Sequence, residues 1–511
     1  MGRVARRDFL KAAGAGAGLA MLAGCRSAEA APVPGIEHTR RFPFIGGNSS
    51  DVVVIGAGAW GGWTALHLRQ MGARVTLVDA FGPGNARSTS GDESRGVRSS
   101  YGDRDTGEMW MLWAREAMRR WKAFDAEWGR DLRLNLYHTT GDLILRSDWE
   151  PFQIRTKHWW DKHGIPYQVL DPAEVRRDFP VIAMDDITAV LYEPDAGVVR
   201  ARRACQTVAA VAERLGVRLV IGRATPSKVA NGRLEEIALD TGQTLRADTF
   251  VFAPGPWLGK TFPDLFANKV RTPLGYVCYF GTPVGDERFT YPNLPSFNFP
   301  GVTGWAALPV DSRGFRVRGS VRAPNAPGAQ APGAQGEAGR TAAGPAARTR
   351  GPRPASATRD TARARGAGTA GGAGAATTPV PPRQLDPDTS DRWPDASRIE
   401  GTRRFLALRF PLLRDAPVLQ THACHYESTS SRNFVIDRHP AMSNVWIAGG
   451  GNAEGFKFGP VVGEYVAQRV LGTEGDPAVA KGFRIPEKEY EVVAAPADTT
   501  RARAATSTKA R

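Results

Sequence analysis

An α/β fold built on a mostly parallel sheet is predicted by three observations. A run of apolar residues, Val52 to Ile55, is followed by glycines at 56, 58 and 61 in G-x-G-x-x-G spacing. A helix-patterned stretch to about Met71 and a second strand, Arg74 to Val78, then close on Asp79. Downstream, strand-like and helix-like stretches keep alternating around this one glycine fingerprint, as they do in parallel α/β sheets.

The first unit reads as strand, turn, amphipathic helix and strand, with Gly72 ending the helix. Gly56, Gly58 and Gly61 permit a tight turn and let a pyrophosphate approach backbone N–H groups at a helix N-terminus. Asp79 lies at about the 20-residue offset from which a carboxylate accepts a ribose 2′-OH. The pattern is therefore Rossmann-like and dinucleotide-binding. A Gly/Ser-rich segment, residues 82–91, leads into Asp92-Glu93-Ser94-Arg95-Gly96-Val97-Arg98-Ser99-Ser100-Tyr101-Gly102. Residues 108–128 carry apolar side chains at helical spacing, among them Met111, Trp113, Met118, Trp121 and Phe124. Residues 132–145 alternate like strands around a turn at Gly141-Asp142. Residues 189–200 read as strand and turn leading into a helix over about 203–215, followed by a strand at 217–221. Residues 233–239 and 244–252 read as paired strands.

The net charge of +15 invites a nucleic-acid reading, so its location matters. Most of it sits in residues 1–26, in a stretch at 323–383 with eight arginines against Glu337 and Asp360, and in the tail at 499–511. The remaining body is nearly neutral, so the basic balance gives no nucleic-acid partner. The four cysteines, Cys25, Cys205, Cys278 and Cys424, are too few and scattered for a disulfide framework. After the N-terminus no stretch is long and apolar enough to span a bilayer.

Arg6-Arg7-Asp8-Phe9-Leu10-Lys11 before a mild Gly/Ala-rich run reads as a twin-arginine export signal over residues 1–31. Leu22-Ala23-Gly24-Cys25 is also lipobox-like, with Ala28-Glu29-Ala30 as an alternative cleavage site. Export to the periplasm or cell surface is expected, with either a lipid on Cys25 or simple release. Residues 323–383 hold Ala, Gly, Pro, Arg and Thr with Val380 as their single large aliphatic residue, and read as a disordered insertion. Residues from about 494 read as a second loose tail.

The remaining motifs are Tyr192-Glu193-Pro194-Asp195-Ala196-Gly197, Thr421-His422-Ala423-Cys424-His425-Tyr426-Glu427-Ser428, and Gly455-Phe456-Lys457-Phe458-Gly459 leading into a helix. With the glycine fingerprint and the 91–102 stretch, they follow one another in the order of a known family. The chain resembles the flavin-dependent amino-acid oxidoreductases of the D-amino-acid-oxidase (DAO) type, most closely the monomeric sarcosine oxidase and N-methyl-tryptophan oxidase branch. The resemblance runs from about Asp51 to Gly472, with the insertion set aside.

It implies a Rossmann-like FAD-binding domain from residues 49–130, 191–262 and 423–472. A discontinuous second domain, on a mainly antiparallel sheet, comes from residues 131–190, 263–322 and 384–422, so the whole is α+β. It implies FAD bound by Gly56, Gly58, Gly61, Asp79, Ser88, Gly455 and Lys457, and bonded covalently through Cys424 to the flavin 8α carbon. Arg98 and Lys457 match the pair that clamps the substrate carboxylate, and Arg95 is expected near the flavin ring, displaced by one inserted residue. Arg316, with Arg318 competing for the place, stands where the branch has a lysine that helps dioxygen react. A guanidinium is not a compact, titratable ammonium, which puts fast oxygen use in question. Glu454 and Ser90 stand where relatives have histidines, and a carboxylate at Glu454 favours a substrate with an amine or extended polar group. His422 and His425 form an H-x-x-H, but an odd spacing on a strand puts them on opposite faces, so no metal is expected.

Three functions follow as expectations. The first is an exported oxidase that takes the C–N bond of an amino acid or N-methyl amine to an imine, with dioxygen as acceptor. The second is a dehydrogenase of the same substrates that passes electrons to a membrane or other non-oxygen acceptor. The third is a flavin-holding protein without turnover. The expected partners are a small amine and an electron acceptor, with no nucleic acid, a membrane only through a lipid anchor, and a monomeric state.

Overall fold

Val52 to Ile55 are buried at the centre of a six-stranded sheet whose two faces are both covered. The structure is a computed structural model. It describes residues 51–104, 106–132, 135–309, 312–321, 384–473 and 476–491. The export signal and lipobox, the expected insertion and the tail from 494 lie outside the described residues. The sheet order is Val435–Arg438, Val445–Gly449, Thr249–Phe252, Asp51–Ile55, Arg74–Asp79, Arg218–Ile221. Its neighbours run parallel apart from the first pair, which is antiparallel.

The helix Ala59–Gln70 departs from its expected amphipathic character. Trp60, Trp63, Leu66 and Leu68 are buried, and so are Gly61, Gly62 and Thr64 between them. The helices Ala201–Arg214 and Gly459–Leu471 both pack against it, which leaves it almost no solvent face. Close approach is bought with glycine: a Cβ on Gly463 would lie 2.4 Å from the Trp63 Cβ. The long helix Gly107–Leu132 adds Trp110, Trp113 and Trp121 to this core, with Trp110 edge-on to Phe434 at 4.5 Å between centroids.

A second, eight-stranded sheet has the order Val418–His425, Leu274–Phe280, Phe315–Arg318, Val302–Trp305, Ser296–Phe299, Asp142–Arg146, Ala189–Glu193, Gln168–Val169. It is antiparallel except where Ser296–Phe299 runs parallel to Asp142–Arg146. Strand alternation sends Phe315 and Val317 into a core with Phe297, Phe405 and Phe410, and turns Arg316 to the other face. A small sheet sets Gly197–Val199 between Arg95–Val97 and Tyr137–Thr139.

Several sequence expectations need correction. Residues 244–252 are two strands. Thr244–Arg246 pairs with Arg233–Leu239, whereas Thr249–Phe252 crosses into the six-stranded sheet. Asp248 marks the crossing, where its carboxylate accepts the Asp51 N–H at 3.2 Å. The strands expected around the turn at Gly141-Asp142 are present at 137–139 and 142–146, but they join different sheets. Residues 189–200 hold two strands, not one. The domain boundaries expected at 190/191 and 422/423 both fall inside strands of the eight-stranded sheet. Among the described residues no helix is long and apolar enough to cross a membrane.

Gly463→Ala places a methyl inside the contact with Trp63, where helix backbones, not a flexible side chain, must move. We expect a loss of about 1–3 kcal/mol in urea unfolding, the cost of overpacking a tight core.

Candidate active site

A cavity of about 610 Å³ opens at the C-terminal end of the parallel strands, lined among others by Gly56, Gly58, Asp79, Arg95, Trp257 and Gly455. That is where open α/β sheets bind ligands. Gly56 has φ +105°, and a Cβ there would lie 2.2 Å from the Ala253 carbonyl oxygen. A Cβ on Gly61 would lie 1.8 Å from the Gly56 carbonyl oxygen. The turn is thus closed by backbone against backbone. Gly58 differs, because its nearest neighbour would be Ser90 Oγ at an ordinary 3.6 Å. Nothing in the chain crowds Gly58, so its bare face is turned to whatever the cavity takes. The Ala59 N–H is capped from outside its helix by Ser90 Oγ at 3.2 Å, a role that the sequence reading did not assign to Ser90.

Asp79 joins this turn to the cavity. Its carboxylate accepts the Ala57 N–H at 2.7 Å and the Phe81 N–H at 2.9 Å, and burial raises its pKa. Ser88 lines the same cavity, with its hydroxyl donating to the Asn85 carbonyl at 2.8 Å. Gly455 lines the same cavity. Its carbonyl accepts the Trp60 indole N–H at 2.8 Å, and a Cβ would press on that ring at 2.9 Å. A cradle without Cβ atoms, an N–H-rich turn and a carboxylate at the strand end fit a pyrophosphate and a ribose.

Cys424 is the penultimate residue of the strand Val418–His425. Its sulfur accepts a hydrogen bond at 3.4 Å from Arg95 Nη2, and Arg95, Tyr426 and Glu427 line the cavity that Gly56 lines. The thiol therefore stands immediately behind the wall. Arg95 is held in turn by Asp92, a fully buried carboxylate that also accepts Arg316 Nη2 at 2.9 Å and the Tyr279 hydroxyl at 2.6 Å. Burial opposes the charge on Asp92, but Arg95 and Arg316 outweigh it and hold the carboxyl far below its usual range. Arg316 is buried with its guanidinium 4.1 Å from the centre of the Trp305 ring, and Arg318 is exposed at the strand end.

Lys457 lies in the short turn Gly455–Phe458, buried, and its Nζ donates to the Tyr101 hydroxyl at 2.7 Å. Burial, then Arg98, then Arg104 lower its pKa well below that of a free lysine, so Arg98 is near enough to be felt. Arg98 Nε is 3.9 Å from Asp142 Oδ2. Glu454 is paired with Arg104, so its carboxylate is already matched by a cation and not left open for a substrate amine. His425 bonds the Thr272 carbonyl and Ser390, whereas His422 lies towards Asp92, which puts the two rings on opposite faces.

Sequence reasoning missed four acids. Asp92, Asp142 and Glu427 are buried at the site, Glu427 accepting the Gly450 N–H at 3.0 Å. Asp388, following the expected insertion, bonds Trp257, Lys260 and Arg223 on the cavity wall at 2.8, 2.6 and 3.0 Å. A single acid carries no spacing signal, and each of these acquires its partners only through the fold.

The family model for FAD-dependent oxidoreductases, DAO, matches residues 51–469. The chain belongs to the DAO family of FAD-dependent oxidoreductases. FAD is thus the dinucleotide that the cradle fits. The flavoprotein is 27% identical to a monomeric sarcosine oxidase of Streptomyces avermitilis, over 84% of this chain and 95% of that one. It is 22% identical to an N-methyl-L-tryptophan oxidase of Yersinia pestis, over 82% and 94%. Among solved structures, fructosamine oxidase (Amadoriase II) of Aspergillus fumigatus matches with TM-score 0.60, 20% identity and coverage of 85% and 89%. L-proline dehydrogenase from P. horikoshii matches with TM-score 0.61, 17% identity and coverage of 84% and 96%. These two structures share the fold.

The two glycines separate cofactor binding from folding. Gly58→Ala is expected to leave the unfolding midpoint of the flavin-free protein within the scatter of a surface substitution, about 0.5 kcal/mol. The same change is expected to lower FAD affinity about tenfold or more, about 1.4 kcal/mol. Gly61→Ala is expected to lower both. Flavin-to-protein ratios and thermal unfolding measure the difference.

Proposed function

We propose that this flavoprotein oxidises the C–N bond of an amino acid or of a secondary or N-methyl amine to an imine, with dioxygen as acceptor. The observation that carries the reading is a pair of cations, Arg98 and Lys457, near enough for Arg98 to lower the Lys457 pKa, with Lys457 two residues along the turn from Gly455 of the cavity wall. A guanidinium takes a carboxylate in a fork, and an ammonium adds a point charge. The two together orient a substrate that carries its amine next to its carboxylate. FAD supplies the two-electron acceptor chemistry when bound. Arg95, half-buried and paired with Asp92, offers positive charge against the anion that a two-electron-reduced flavin carries. Lobe assignments follow the two sheets, with cofactor on the six-stranded one and substrate on the eight-stranded one. Relatives named for sarcosine and N-methyl-tryptophan oxidation support the substrate class. An anaerobic screen of N-methyl amino acids, following flavin bleaching, tests the proposal; a flavin that no amine bleaches rejects it.

The same reading includes a covalent bond from Cys424 to the flavin, supported by the sulfur's place beside Arg95. Acid precipitation is expected to leave the yellow colour in the pellet, and Cys424→Ser to move it to the supernatant. It also includes export of a monomer through the twin-arginine route, with or without a lipid on Cys25, tested by cell fractionation and by sizing the purified protein.

A second acceptor is favoured by one observation. Arg316 is committed to Asp92 and to the Trp305 face, and offers no compact ammonium. A dehydrogenase passing electrons to a membrane carrier would reduce dyes much faster than it forms peroxide, and comparing the two rates decides between the readings.

Carboxylate binding has a signed pH dependence. The depressed pKa of Lys457 means that its ammonium is lost as pH rises through that lowered value. Affinity for a plain carboxylate therefore falls with rising pH. Lys457→Met is expected to flatten this dependence, as read by flavin absorbance titration.

A further inference from the structure

Asp142 opens the strand Asp142–Arg146 with its side chain buried, and its Oδ2 has no hydrogen-bond partner among the described residues. The nearest cation to that oxygen is Arg98, at 3.9 Å from Nε, an ion pair at the long limit. Arg98, Asp142, Ser296, Thr303 and Trp305 enclose a cavity of about 10 Å³, room for about one water-sized group. The guanidinium of Arg98 folds back over Gly96: a Cβ there would lie 3.7 Å from Arg98 Nη1 and 3.2 Å from the Trp305 ring. Burial raises the pKa of Asp142, whereas Arg98, the Asn298 amide, Arg146 and Lys457 hold it down. A buried acid thus faces the cations of the proposed carboxylate site from behind.

We propose that Asp142 is a specificity-determining residue, which faces Arg98 from within the fold and makes the substrate site discriminate by net ligand charge. The inference rests on the reading of Arg98 as a carboxylate-binding residue. A fixed negative charge close to a binding site acts on a ligand roughly in proportion to the ligand's own charge. Asp142 therefore weakens monoanions, weakens dianions about twice as strongly on a logarithmic scale, and leaves zwitterions nearly untouched. The site selects for one carboxylate balanced by an amine and against acidic side chains. Arg98 in turn gives the buried Asp142 carboxylate a counter-charge before substrate arrives.

The test uses the flavin-loaded protein and three probes of similar length: butyrate, succinate and 4-aminobutyrate. Each is titrated into wild type, Asp142→Asn and Arg98→Met, and read by perturbation of flavin absorbance. In Asp142→Asn we expect butyrate to bind about tenfold tighter, succinate about a hundredfold tighter, and 4-aminobutyrate within about twofold of wild type. Asp142→Ser gives the same ordering and serves if the amide variant does not fold. Equal changes for all three probes, or none, overturn the inference, because a loosened pocket has no reason to follow ligand charge. Arg98→Met separates the two levels. If it loses butyrate while Asp142→Asn shows no charge ordering, only the role of Asp142 falls. If it binds butyrate as tightly as wild type, the carboxylate reading falls and takes the role of Asp142 with it.

Discussion

The carboxylate of Asp92 is the contact on which the active centre depends. It is fully buried and sits between two guanidiniums, Arg95 from its own segment and Arg316 from the eight-stranded sheet, with the Tyr279 hydroxyl as a third donor. Removing Asp92 would leave the buried Arg316 guanidinium without its counter-charge, a loss of the kind that costs about 3–5 kcal/mol. The arrangement also ties together parts of the chain far apart in sequence. Through Arg95 it reaches the sulfur of Cys424, and through Arg316 it reaches the face of Trp305. Charge, together with the Trp305 indole N–H donated to Ser94, joins the segment after the Rossmann-like unit to the eight-stranded sheet.

The cofactor cradle relies on a different kind of contact. Gly56 and Gly61 bring backbone to backbone at distances that no side chain tolerates, while Asp79 ties the Ala57 and Phe81 amides to the end of the second strand. The turn is rigid because it is built of main chain. Around it, Ser90 caps the helix from a neighbouring loop and Trp60 spans to the Gly455 carbonyl. Trp60 therefore ties the cradle helix to the short turn that carries Lys457.

Much of this was legible in the residues. The strand–glycine–helix–strand–acid pattern marked the cradle because glycines at fixed offsets have a steric reason to be there. The resemblance singled out Cys424, Arg95, Arg98 and Lys457, and the fold sets Cys424 beside Arg95 and brings Arg98 near enough to Lys457 to lower its pKa. Less legible were the strands at 137–146, 189–199 and 244–252. Apolar alternation marks a strand but does not say which sheet takes it, and in each of these stretches the two strands join different sheets. The helix Ala59–Gln70 misled for a related reason: its polar positions are few, and only packing on two sides reveals that it has no wet face.

By itself the sequence determined the cofactor-binding turn, the α/β alternation and the residue types available for chemistry, because these depend on local sterics and on side-chain identity. Tertiary structure alone decided which charges meet. Asp92 with two arginines, Asp142 behind Arg98, Glu454 on Arg104 and Asp388 across the cavity wall are pairings between distant segments. An ion pair depends on distance and burial, and neither is set until strands and helices have packed.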